Sequence, residues 1–180
     1  MVSYRPQPAK LTPLSPKSKA APRRSERCVT VIAWHNPPMA ERTRGYAHRI
    51  DITADKARVW HALTTSTALV RWCSPAAEIS ARTGGMFRAS VDRVTELEAH
   101  IDVFEPERRL RLIYLPSPAL PPADSALVDD FMLDGGDGGT IVRLLGSGFP
   151  ADSAWDPVYM RLRVGWERAI ARLKVLIEAG

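Results

Sequence analysis

From Tyr46 onward the chain alternates: Tyr46, His48, Ile50 and Ile52 point one way, and Ala47, Arg49 and Asp51 the other, the period of a strand with one buried face. The period then lengthens. Thr53 is placed to cap a helix, with Asp55 in its first turn and Val59, Trp60, Ala62 and Leu63 as its apolar side. Ser66 restarts a second short helix carrying Leu69, Val70 and Trp72, which Pro75 closes.

Beyond Pro75 the period returns to two. Runs 77–83, 86–94, 100–106, 109–115, 126–133 and 140–148 read as strands, most of them joined by short turn-forming segments, so they are expected to pair antiparallel as a meander. The join at 116–126 differs, being a loop with four prolines and therefore stiff. The chain ends in one long helix. Asp156-Pro157 opens it as cap and first-turn proline, and Trp155, Tyr159, Leu162, Trp166, Ile170, Leu173 and Ile177 form a sustained apolar stripe. Such a stripe needs a broad partner, and the sheet face is the only one available. The expected architecture is α+β: a curved antiparallel sheet of about seven strands wrapped around the long C-terminal helix, with two short helices after the first strand.

Charge changes the picture at the amino end. The whole chain carries a formal +5, but residues 1–45 hold nine Lys and Arg against two acids, while the remainder holds sixteen basic and eighteen acidic residues. The basic excess therefore lies on a proline-rich tail rather than on a folded surface, and nucleic-acid binding is not expected. Residues 1–44 are expected to be a disordered tail and 45–180 the domain. Met39 opens a more ordinary start, so 1–38 could be a misassigned extension. Two cysteines, Cys28 and Cys73, exclude a disulfide framework. With no apolar run of about 18 residues, no membrane association is expected and a cytoplasmic setting is the default.

ITADKARVWHAL (52–63), LVRW (69–72), GGMF (84–87), FEPERRLRL (104–112), GGT (138–140), GSGFP (146–150) and GWERAIARLK (165–174) together resemble the helix-grip superfamily called START-like or SRPBCC. The nearest branch is the homologues of the carboxy-terminal domain of the activator of heat-shock protein 90 ATPase. The resemblance covers about residues 47–178. It implies the helix-grip fold and a hydrophobic cavity, but not one activity, since the superfamily includes lipid carriers, hormone receptors, polyketide cyclases and chaperone co-factors. Cys73 stands where the family usually has a second aromatic, and Glu98-Ala99 where a glycine is common.

Catalytic residues are not indicated. His61 lies outside the apolar grouping of its helix and reads as a surface residue. His100 and Asp102 share a strand face without a third ligand, so no metal site is expected, and Ile101 and Val103 read as the core residues there. His48 reads as a half-buried histidine or a polar group of a pocket. GGDGG (135–139) lacks the lysine of a phosphate loop and reads as a hairpin turn. Of Asp129 and Asp130, alternation sends one inward; the simpler expectation is that the strand starts late and both sit at a wet mouth. The ligand-binding candidates are the aromatics Trp60, Trp72, Phe87, Tyr114, Phe131, Tyr159 and Trp166, more than a plain core requires. Gly165, at a helix-interior position where glycine costs about 1 kcal/mol, points to close approach or space for a ligand. These observations favour a non-enzymatic domain that binds a small hydrophobic or aromatic molecule between helix and sheet, without cofactor. The resemblance offers a chaperone co-factor, or a cyclase- or hydrolase-type enzyme using Asp129 or Asp130, His48 or Tyr114, as alternatives.

Overall fold

A computed structural model of the chain describes residues 42–90 and 96–180, all within the unit Pro38–Gly180. The expectations for residues 1–41, Met39 included, and for the end of the run 86–94 lie outside the described residues. The first strand, β1 (Thr43–Ile52), begins three residues before the alternation at Tyr46, taking Thr43 and Arg44 out of the expected tail. Two short helices follow, α1 (Lys56–Thr64) and α2 (Ser66–Trp72). Then come β2 (Glu78–Ile79), β3 (Met86–Ser90), β4 (Glu96–Glu105), β5 (Arg109–Tyr114), β6 (Val128–Gly136) and β7 (Gly139–Pro150). A single 3₁₀ turn leads into α3 (Asp156–Glu178).

The seven strands form one curved antiparallel sheet in the order β1-β7-β6-β5-β4-β3-β2, a meander with β1 added to its far edge. The inner face carries the core, including Ile101, Leu112, Val142 and Leu144, against which α3 lays Leu162, Trp166, Ile170 and Leu173. α3 is tied down near both ends. The Tyr159 hydroxyl donates to the Gly45 carbonyl at 2.9 Å, and the Thr53 N–H donates to Glu178 Oε1 at 2.8 Å. The outer face is laced by cross-strand ion pairs: Arg88 with Glu98, Arg111 with Asp102, Arg109 with Asp130 and Arg143 with Asp134.

Four local expectations are corrected. The α1 cap is Asp55, whose carboxylate accepts from the Arg58 N–H at 2.7 Å, and not Thr53. Asp156 is the first residue of α3, whose N-cap position is Trp155 with no side-chain cap; the capping carboxylate is that of Asp152, which caps the preceding 3₁₀ turn and accepts from the Ala154 N–H at 2.7 Å. β2 spans two residues of the expected seven: Ser80 still donates its N–H to Met86 on β3, but its carbonyl accepts from Arg82, whose own carbonyl accepts from Gly85, and the chain turns there. In β4 a bulge at Asp102 shifts the phase of alternation, since Ile101 pairs with Leu112 but Val103 already pairs with Arg111. Phe104 rather than Val103 therefore turns inward, with its ring 5.1 Å from that of Trp60. The run 135–139 holds the β6–β7 hairpin turn, made by Asp137 and Gly138 between the paired Gly136 and Gly139, with Gly138 at a φ of 80°.

Candidate functional site

Among the described residues the inner face holds one buried acid, Asp129, which is fully inaccessible to solvent. Its neighbour Asp130 faces outward onto the Arg109 guanidinium, with Nε 2.9 Å from Oδ1 and Nη2 2.5 Å from Oδ2. The expectation of two acids at a wet mouth is thus overturned. The physical reason is that Asp129 finds partners that offset part of its desolvation. Tyr46 donates its hydroxyl to Oδ1 and Tyr114 donates to Oδ2, each at 2.6 Å.

The sheet register explains the reach. Gly146 on β7 pairs with Tyr46 on one side and with Asp129 on the other. A Cβ on Gly146 would stand 2.3 Å from the Tyr46 ring, so the missing side chain is what lets that ring cross β7 to the carboxyl. Tyr114 arrives from β5, where its neighbour Leu112 pairs with Asp129. Burial pushes the Asp129 carboxyl up to about 6, against the opposing pull of hydrogen bonds from Tyr114, Tyr46 and Trp166. Burial, followed by the nearby Asp129 charge, raises both tyrosines well above 10.

Next to this group, α3 and the sheet leave a cavity of about 180 Å³. Phe87, Leu97, Tyr114, Leu162 and Trp166 supply its apolar wall. Cys73, Ser90, Arg168 and Arg172 contribute its polar part, and Gly165 opens onto it. Asp129 does not line the cavity; Tyr114 does. Both phenol protons are directed at the carboxyl, so the three residues position Tyr114 as a wall and present no base to a guest.

Of the seven aromatic candidates, Phe87, Tyr114 and Trp166 line this cavity. Phe131 sits behind them, its ring edge-on to Trp166 with centroids 5.2 Å apart. The other three lie elsewhere. Trp60 packs on Phe104, and Trp72 is buried with its indole N–H donated to the Ala62 carbonyl at 2.9 Å. Tyr159 belongs to a cluster with Tyr46 and Phe149, beneath the Arg44 guanidinium, which lies 4.3 Å from the centre of its ring.

Arg172, which in the sequence reads as one of a set of exposed basic residues on the last helix with Arg161, Arg163 and Arg168, is held by α2. Its Nε donates to the Trp72 carbonyl at 2.8 Å and its Nη2 to the Cys73 carbonyl at 3.2 Å. Burial pushes the Cys73 thiol up to about 12 and keeps it protonated. His48 is half-buried 5.4 Å from the Tyr46 ring, and burial lowers its pKa. His61 is exposed. Asp102 is taken by Arg111, and no group of three metal-ligating side chains occurs among the described residues.

Comparison with known proteins bears on the fold and the family. No curated protein matches the chain. Among solved structures, protein MLL2253 from Mesorhizobium loti superposes with a TM-score of 0.66 at 23% identity, over 76% of this chain and 98% of that one. The Aha1 dimer from Colwellia psychrerythraea gives 0.66 at 18% identity, over 75% and 96%. CalU16 from Micromonospora echinospora gives 0.60 at 23% identity, over 75% and 76%. At such identities the likeness speaks for the fold alone. The sequence profile described as activator of Hsp90 ATPase homolog 1-like protein matches residues 53–178, from the start of the first helical segment to the end of α3. The curved sheet closed on a terminal helix and this match over most of its length agree: the chain belongs to the family of activator of Hsp90 ATPase homolog 1-like proteins, a START-like branch of the SRPBCC superfamily.

Proposed function

We propose that the protein is a non-enzymatic binding domain that takes one small, mainly apolar or aromatic molecule into the cavity between α3 and the sheet. The cavity itself carries this reading: about 180 Å³ left open beside Trp166 and Phe87, between α3 and the sheet. An engineered cavity of about 150 Å³ with apolar walls is enough to hold benzene. The guest is therefore a single-ring or short-chain molecule and not a long lipid. No helix among the described residues is long and apolar enough to cross a membrane. We place the protein in a reducing, cytoplasmic setting, consistent with a sequence that offers no disulfide framework.

Native mass spectrometry of the full chain, followed by thermal shift against a panel of single-ring and short-chain compounds, tests the reading. A small bound mass, or a rise in melting temperature with part of the panel, supports it. An empty protein whose melting point no compound moves refutes it.

The family favours a second reading, a chaperone co-factor, because the matching profile is described by activation of Hsp90 ATPase. Addition of the full chain to an Hsp90 ATPase assay distinguishes the two: a rise in turnover supports the co-factor, and an unchanged rate removes it. A cyclase- or hydrolase-type activity has less support, because the buried acid is turned toward two tyrosines rather than toward the cavity.

A further inference from the structure

The polar part of the cavity is of one sign. Arg168 and Arg172 both line it, one helical turn apart on α3, and no Asp or Glu is among the lining residues. Arg172 is fixed in position by the Trp72 and Cys73 carbonyls, which are neutral acceptors and leave its charge uncompensated. Arg168 has no hydrogen-bond or ion-pair partner among the described residues. On the outer sheet face, by contrast, Arg88, Arg109, Arg111 and Arg143 each meet a carboxylate. The Cys73 thiol stays protonated and adds no negative charge.

We propose that the guest is a small carboxylic acid, with its ring or short chain against Phe87, Leu162 and Trp166 and its carboxylate at the mouth between Arg168 and Arg172. This rests on the binding reading above and adds the chemical class of the ligand. The planar fork of the Arg168 guanidinium matches a carboxylate with two parallel hydrogen bonds, and Arg172, whose Nε and Nη2 already donate to the two carbonyls, adds its charge and its remaining Nη hydrogens one turn away. Arg172 is held in place before the ligand arrives, so little side-chain entropy is lost there on binding.

The test titrates the full chain, at low salt, with benzoate, phenylacetate and hexanoate, each against its neutral amide, following tryptophan fluorescence and heat. At least one acid is expected to bind about tenfold more tightly than its amide, with a preference that shrinks as salt rises. Arg168→Gln is expected to cut the ratio of acid to amide affinity, both measured in the same variant, severalfold, and Arg168→Lys to retain part of it. Arg172→Gln serves as a second variant, accepted only where its melting curve stays cooperative. Amides that bind as tightly as acids overturn the carboxylate proposal and leave the binding reading standing. A preference for acids that survives both Arg168→Gln and Arg172→Gln overturns the assigned seat. Failure of every acid and every amide to bind overturns both readings together.

Discussion

Tyr46 crosses the bare backbone of Gly146 to set its hydroxyl 2.6 Å from the Asp129 carboxylate, joining residues 83 positions apart. The contact makes Gly146 a space-holding residue rather than a turn residue. Gly146→Ala is expected to displace the Tyr46 ring and break its hydrogen bond, destabilising the protein by about 2–4 kcal/mol. Urea unfolding with an unchanged m-value is the measurement that checks it.

Adjacent acids on β6 are expected to differ sharply. Asp129→Ala leaves two buried phenol hydroxyls without an acceptor and should cost about 2–5 kcal/mol. Asp130→Ala loses one partly exposed ion pair, with side chains 13% and 36% accessible, and should cost about 1 kcal/mol or less. Chemical denaturation of the two variants side by side decides it. Equal losses would place both acids in the same environment, contrary to the structure.

Stability should fall as pH rises through the Asp129 titration. The carboxyl is raised from 3.8 to about 6 in the folded protein, so the native state holds its proton more firmly than the unfolded chain does. The advantage is complete below about pH 4, fades between about 4 and 6, and is gone above, a change on the order of 3 kcal/mol. Stability measured across this range for the native chain and for Asp129→Asn should converge or diverge by that amount, since asparagine does not titrate.

Removing either phenol should push the same titration upward. Tyr46 and Tyr114 both favour the ionised carboxyl by donating to it, so Tyr46→Phe and Tyr114→Phe are each expected to raise the Asp129 pKa. Carbon-detected NMR of the carboxyl group reads this directly. A downward move would show that the hydroxyls do not act as donors.

Cys73 should be inert while the protein is folded. With its thiol raised to about 12 by burial, almost none is thiolate near pH 8. In Cys28→Ser protein, a thiol reagent is expected to label Cys73 slowly, and rapidly once urea is added. Fast labelling without denaturant would contradict the burial.

The chain announced its architecture more clearly than its site, and the residues show why. Alternation from Tyr46 and the α3 stripe are local periodicities, and both translate directly into burial, with Trp166, Ile170 and Leu173 on the sheet. Asp129 was the harder residue. Alternation demanded that one of two adjacent acids turn inward, but what makes burial tolerable is a tyrosine from β1 and a glycine on β7, which no window around residue 129 contains. The phase shift at Asp102, which exchanges Val103 for Phe104, is equally invisible in the run HIDVFEP. Aromatic content located the core but not the opening in it. Whether a buried ring adjoins a neighbour or a void depends on how α3 stands off the sheet, and so Trp60, Trp72 and Tyr159 were grouped with Phe87, Tyr114 and Trp166.

The extra residue at Asp102 lets a single strand serve two clients. Ahead of it, Leu97, Ala99 and Ile101 furnish the bed for the terminal helix; after it, Phe104 is handed to Trp60 of the first helix. Ironing out the bulge while keeping Asp102 would restore strict alternation the other way, returning Val103 to the inner face and swinging Phe104 outward, away from the indole. A slip so small would unfasten α1 from the wall it leans on while sparing every residue around the cavity.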